Sequence, residues 1–155
     1  YFLSQRRAVG FASAGQAFTV HSAERSDRQE AKILETLAFV EANGNLSLAA
    51  LVAAQASQLS QGSSAILITP TVRSDLLTAV DDLQRRRLRP IVILLDARSF
   101  NGSDGTEGLA RSLGERRVPV YVIRCDTDLA SSLSSFSSEF DLQDLRKWQN
   151  PILSQ

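Results

Sequence analysis

The chain has 155 residues, 43% of them hydrophobic and 22% charged, a size and composition that fit one globular domain with a real core and exclude a disordered segment. Seventeen Lys and Arg residues balance seventeen Asp and Glu, so no net field recruits nucleic acid or an anionic membrane. No apolar run approaches the roughly 18 residues of a membrane helix, and no signal peptide opens the chain. The single Cys125 excludes an internal disulfide and fits a reducing, cytoplasmic compartment.

In chain order, Tyr1-Phe2-Leu3-Ser4-Gln5-Arg6-Arg7 reads as the last turn of a helix, and the chain is expected to be a piece of a longer protein. Two short strand-like runs follow, Ala8 to Ala14 and Gln16 to His21, separated by Gly15 at a spacing that predicts an antiparallel hairpin. From Ser26 the period changes. Asp27 with Glu30 predicts a capping box, Ile33, Leu34, Leu37 and Val40 share one helical face, and Gly44 is the expected stop. Leu48, Leu51, Val52 and Leu59 mark a second, alanine-rich helix ending at Gly62. Ser74 caps a third, with Leu76, Leu77, Val80 and Leu83 as its buried stripe; Arg85, Arg86 and Arg87 fall at its C-terminus, where cations complement the helix dipole. The Gly-rich loop from Asn101 to Gly108 leads into a fourth helix with Leu109 and Leu113 inward. Leu129, Leu133 and Phe136 keep helical spacing through the Ser-rich stretch from Ser131 to Ser138, and Asp141 to Gln155 form a tail with Trp148 and Pro151. The expected organisation is one domain over residues 1–140 and a tail over 141–155.

Three of the runs carry the fold class. Ala65 to Thr69, Ile91 to Asp96 and Val118 to Arg124 are apolar without alternation, each follows a helical stretch, and each ends abruptly in polar residues. Such strands belong to a mostly parallel α/β sheet covered on both faces by crossover helices, a doubly wound arrangement. Ligands of these folds gather at the carboxyl edge of the sheet. On position the candidate binding residues are therefore Ser13, Ser47, Thr69, Thr71, Asp96, Arg98, Arg124 and Asp126. A structural role competes with this reading: Asp126 and Asp128 open the following helix, and Arg124 pairs with one of them.

Recognised catalytic patterns are missing. Gly102, Gly105 and Gly108 match neither dinucleotide nor phosphate-loop spacing, and the chain has only two lysines, Lys32 and Lys147. His21 has no nucleophile near it in sequence, no Gly-x-Ser-x-Gly occurs, and Cys125 is expected to be a buried small hydrophobe. A phosphoacceptor site of the receiver type would need a lysine after the last strand, which is absent.

The segments Val9 to Gly15, Gly44 to Leu51, Ala65 to Pro70 and Val118 to Arg124, in this order, resemble the later part of a von Willebrand factor type A-like domain, nearest to the bacterial family called domain of unknown function 58. The resemblance implies a doubly wound sheet whose carboxyl edge binds a partner protein. Family members often hold a divalent cation there through Asp-x-Ser-x-Ser, a Thr and an Asp. Here the first element is expected upstream of Tyr1, Leu46 or Ser47 stands where the Thr belongs, and Pro70, between Thr69 and Thr71, stands where the Asp belongs. Hydroxyls without carboxylates make a poor magnesium shell, so neither metal nor another cofactor is expected. The resemblance also implies that the first central strand is missing, which predicts a homo-oligomer or a rearranged sheet. Its functional expectation is a non-catalytic protein-interaction module assisting assembly or maturation with a MoxR-type ATPase, cytoplasmic but with a membrane-tethered parent. The alternative class is a small-molecule or nucleotide-binding enzyme using the strand-end loops.

Overall fold

The computed structural model describes residues 2–132. The tail from Asp141 and the greater part of the helix expected over Ser131 to Ser138, including Leu133 and Phe136, lie outside them. The elements run β1 (Val9–Ala14), β2 (Phe18–Glu24), α1 (Asp27–Phe39), α2 (Leu48–Gln55), β3 (Ser64–Thr69), α3 (Asp75–Arg85), β4 (Arg89–Leu95), α4 (Thr106–Glu115) and β5 (Val120–Ile123). The protein is α/β, with a two-stranded antiparallel hairpin and a three-stranded parallel sheet in the order β3-β4-β5. The described residues divide into two compact units, 2–63 with Thr78–Leu88, and Ser64–Leu77 with 89–132.

In the first unit the expected hairpin forms, closing from Ala14 to Phe18. Its register slips once: Ser22 and Ala23 of β2 stand opposite the single Gly10 of β1, a β-bulge. Gln29 of α1 answers it. The Gln29 Nε2 donates to Val9 O at 2.7 Å and to Ser22 O at 2.8 Å, tying the helix to both strands at the bulge. Two turns along, His21 Nε2 lies 2.8 Å from Thr36 Oγ1, and Thr36 Oγ1 gives its proton to Lys32 O at 3.0 Å. The histidine must then be the donor at Nε2. Its ring stacks on Phe11, its cross-strand partner, at a centroid distance of 6.3 Å.

These polar ties correct the expected stripe of α1. Gln29, which is fully buried, with half-buried Ile33 and Thr36, forms its inner face, and Leu34 and Leu37 turn outward to 58% and 49% exposure. The helix starts at an N-cap Ser26 whose side chain makes no capping bond, so the expected box at Asp27 and Glu30 does not form. It stops at Phe39, ahead of Gly44. The glycine serves a close approach instead: a Cβ on Gly44 would collide with the carbonyls of Ala14 and Gly15 at the hairpin turn. Helix α2 likewise ends well before Gly62, continuing only as a 3-10 turn over Ala56–Gln58.

In the second unit β4 is central and buried from Pro90 to Leu94, while α4 packs on β4 and β5. Among the described residues the expected coverage of all three strands on both faces does not occur: one face of each flanking strand is left open, at Ile66 and Ile68 of β3 and at Val122 of β5. Helix α3 buries Leu76, Ala79, Val80 and Leu83, with Leu77 half-buried. Each such fully buried leucine contributes about 1.5–3 kcal/mol of transfer free energy.

One device ends three helical turns. Arg87 N donates to Gln84 O and Leu88 N to Leu83 O, Arg117 N to Gly114 O and Val118 N to Leu113 O, Arg6 N to Leu3 O and Arg7 N to Phe2 O. All three are Schellman closures, and the left-handed residue, normally glycine, is arginine each time, with φ of 61°, 57° and 54° at Arg87, Arg117 and Arg6. The arginine run of α3 thus finishes a helix, with Arg86 Nε 2.8 Å from Asp82 Oδ2. Buried Leu88 and Val118 supply the apolar contact that accompanies such a closure.

Candidate functional site

The loops after β4 and β5 are joined by side chains. Asp96 extends the ladder, its N–H donating to Ile123 O at 2.8 Å, and then caps a 3-10 turn over Ala97–Phe100. Ser99 Oγ donates to Asp96 O at 2.7 Å and accepts the N–H of Cys125 at 2.9 Å, so a single hydroxyl links the two loops. Arg124 Nε lies 3.3 Å from Asp96 Oδ2, and its Nη2 is 3.8 Å from Glu107 Oε1 at the start of α4. Arg98 Nη1 pairs with Asp104 Oδ2 at 3.2 Å, and the other oxygen of Asp104 accepts Gly105 N–H at 2.8 Å.

Backbone shape makes this possible. Asn101 is left-handed, and Gly102 passes so near Ala97 that a Cβ would come within 2.9 Å of its carbonyl oxygen. Gly105, at φ +125°, precedes Thr106, whose buried Oγ1 has no hydrogen-bond partner. The first unlinked strand end is β3: Thr69 Oγ1 accepts Thr71 N–H at 3.1 Å and Thr71 Oγ1 accepts Arg73 N–H at 3.3 Å, two successive hydroxyl turns.

Of the sequence candidates, Asp96 and Arg124 thus meet directly, Arg98 pairs with Asp104 within the loop after β4, and Thr69 and Thr71 shape their own loop. Asp126 is exposed in the turn after β5. Ser13 and Ser47 belong to the first unit: Ser13 pairs with Thr19 and keeps a buried, unpartnered Oγ, and Ser47 caps α2 by accepting Ala50 N–H at 3.2 Å. Arg124 does not pair with Asp126 or Asp128, because Asp96 and Glu107 lie within its reach and Asp128 turns to cap the next helical residues through Ser131. Cys125 is exposed, not buried, since the chain has left the sheet at Ile123.

Ser99, Asp104 and Glu107 escaped the sequence reading. The signal for Ser99 was its spacing, three residues after Asp96, which suits a hydroxyl folding back on a strand end. Electrostatically the cluster is mixed: Arg98 and Arg124 against Asp96, Asp104 and Glu107, mostly at the surface. The side-chain and backbone hydrogen bonds from Ser131 hold the Asp128 carboxyl below its ordinary value. Among the described residues no group of three or more His, Cys, Asp or Glu side chains converges on a metal-sized position. Also among them, no helix is long and apolar enough to cross a membrane. No family model, curated protein or solved structure matches the chain.

Proposed function

We propose that this chain is a type A-like, doubly wound module that binds a protein partner without catalysis, through the loops at the carboxyl ends of β4 and β5. The observation that carries the reading is the exposed, internally braced charge cluster around Arg124, whose side chain is 60% exposed while its carboxylate partner Asp96 is largely covered. A guanidinium held in place yet open to solvent suits recognition of a carboxylate on another protein: its orientation is fixed in advance, so little side-chain entropy is lost on binding. Ser99 and the Cys125 amide keep the two loops in register, which gives a rigid patch rather than two independent loops. A MoxR-type ATPase is the partner class that the family resemblance offers, with work on the assembly or maturation of other proteins as the setting.

The test is a binding titration of the chain against a purified MoxR-type ATPase, with Arg124→Ala and Arg98→Ala beside the wild type and a nucleotide panel in a parallel melting assay. Binding that falls about tenfold or more in Arg124→Ala, with a melting temperature lowered by no more than about 4 °C and no nucleotide response, supports the module. Wild-type affinity in both variants, no binding at all, or a nucleotide-dependent rise in melting temperature would each defeat it.

A further inference from the structure

Strand β3 has an open side among the described residues, pairing only with β4. Its burial alternates. Leu67 and Thr69 are buried on one face, whereas Ile66 and Ile68 are 36% and 62% exposed on the other. In the register with β4 these two face the same way as Ile91 and Ile93, so the exposed isoleucines continue an apolar face.

Soluble proteins protect such edges by shortness, charge, proline or bulges. The opposite edge of the sheet has them: β5 is four residues long, Pro119 precedes it and Arg124 follows it. β3 is longer, at six residues, and has no charge or proline within them, Pro70 coming only directly after its end. Moreover β3 and the loop after it, Ser64 to Val72, carry no charged side chain, in a chain that is 22% charged overall. Depletion of charge is the compositional mark of an interface core.

We propose that the free edge of β3 pairs with β3 of a second copy of this chain, antiparallel about a two-fold axis, joining two three-stranded sheets into one of six. A two-fold perpendicular to the sheet keeps like faces together, which sets Leu67 opposite its own copy and Ile66 opposite Ile68 of the other chain. The four isoleucines then cover one another, no like charges meet, and the unpaired amides of the edge find partners. An isologous edge of this kind closes at two chains and uses none of the strand-end charges, so it is independent of the binding module proposed for them. A six-residue pair buries less than the ~1,200 Å² of a standard interface, so the dimer is expected to form reversibly rather than permanently.

Sedimentation velocity of the full chain from about 5 to about 500 μM tests this, with an expected rise from one chain to two. Ile68→Lys, at an exposed position, is expected to weaken association about tenfold or more by placing cations across the axis. A Cys125→Ser background carrying Ile66→Cys and Ile68→Cys is expected to give an oxidised, covalent dimer, which checks the register even where Ile68→Lys folds poorly. A single-chain mass at every concentration overturns the proposal. So do unlimited polymers, a dimer indifferent to Ile68→Lys, or a dimer that oxidation leaves uncrosslinked.

Discussion

Arg124 and Asp96, 28 residues apart in sequence, meet at 3.3 Å and fasten the end of β5 to the end of β4. The pair lies at the surface on the arginine side, where solvent screens the attraction, and surface pairs of this kind are worth about 0–1 kcal/mol. Arg124→Ala is therefore expected to cost about 1 kcal/mol or less in urea unfolding at unchanged m-value, and less still in high salt. A loss of about 3 kcal/mol would mean the guanidinium is a structural strut, and the case for an open recognition group would fall with it.

Gln29 is a different kind of polar residue. It is fully buried, and its amide is the donor for Val9 O and Ser22 O at the bulge. Gln29→Leu keeps the volume and removes the donors to two part-buried carbonyls, and with them a buried amide oxygen that has no partner of its own. The expected loss is about 1–3 kcal/mol, with amide exchange in β2 accelerating more than exchange in β4. Wild-type stability in this variant would show that the bulge satisfies its own carbonyls.

The parallel strands were legible because β4 is buried throughout, so its composition needs no alternation, and the turns around Gly15 and the Asn101 to Gly108 loop announced themselves by residue type. What could not be read was orientation about an axis. Leu34 and Leu37 look like core on hydrophobic spacing, yet Gln29 turns α1 the other way to reach the bulge, a contact set by a register slip that no local pattern encodes. The strand-end position of Asp96 and Arg124 followed from the strands themselves. Their pairing did not, because it needs the neighbouring order of β4 and β5. Cys125 was misjudged by composition: a small apolar residue beside a strand counts as buried only if the strand reaches it.

Two glycines separate steric need from mere tolerance. A Cβ at Gly44 would strike the hairpin turn, whereas one at Gly108, inside α4, would meet open space. Gly44→Ala is expected to lose about 2 kcal/mol or more, and Gly108→Ala to gain about 0.5–1 kcal/mol by helix propensity. Thermal melts of the two variants suffice. Equal effects would contradict the packing of Gly44 against the turn.

The Schellman closures predict gains from an unusual direction. Arg117 holds φ 57°, a conformation that strains any residue with a Cβ, and it buries nothing that glycine would miss beyond its exposed guanidinium. Arg117→Gly is expected to stabilise by about 0.5–1 kcal/mol, and Arg87→Gly by a similar amount. Destabilisation of both in chemical denaturation would show that the arginines earn their place by contacts with the helix ends.

Asp128 gives the pH test. Ser131 donates to its Oδ2 from the side chain at 2.6 Å and from the backbone at 2.9 Å, and these bonds favour the ionised form over the small opposing effect of burial. Its folded pKa is therefore below the ordinary 3.8, and the cap contributes fully above the unfolded value and is lost as pH falls through the folded one. A carboxyl NMR titration of Asp128 is expected to show a midpoint below 3.8, and Ser131→Ala, by removing the largest contribution, to move it upward without the full return that loss of the backbone bond would bring. A wild-type midpoint at or above the ordinary value would mean that residues 129–132 do not hold their helical turn in solution. The ties of Arg124 to Asp96 and of the Cys125 amide to Ser99 do not pass through Asp128, so they would remain and the titration reports on the turn after them alone.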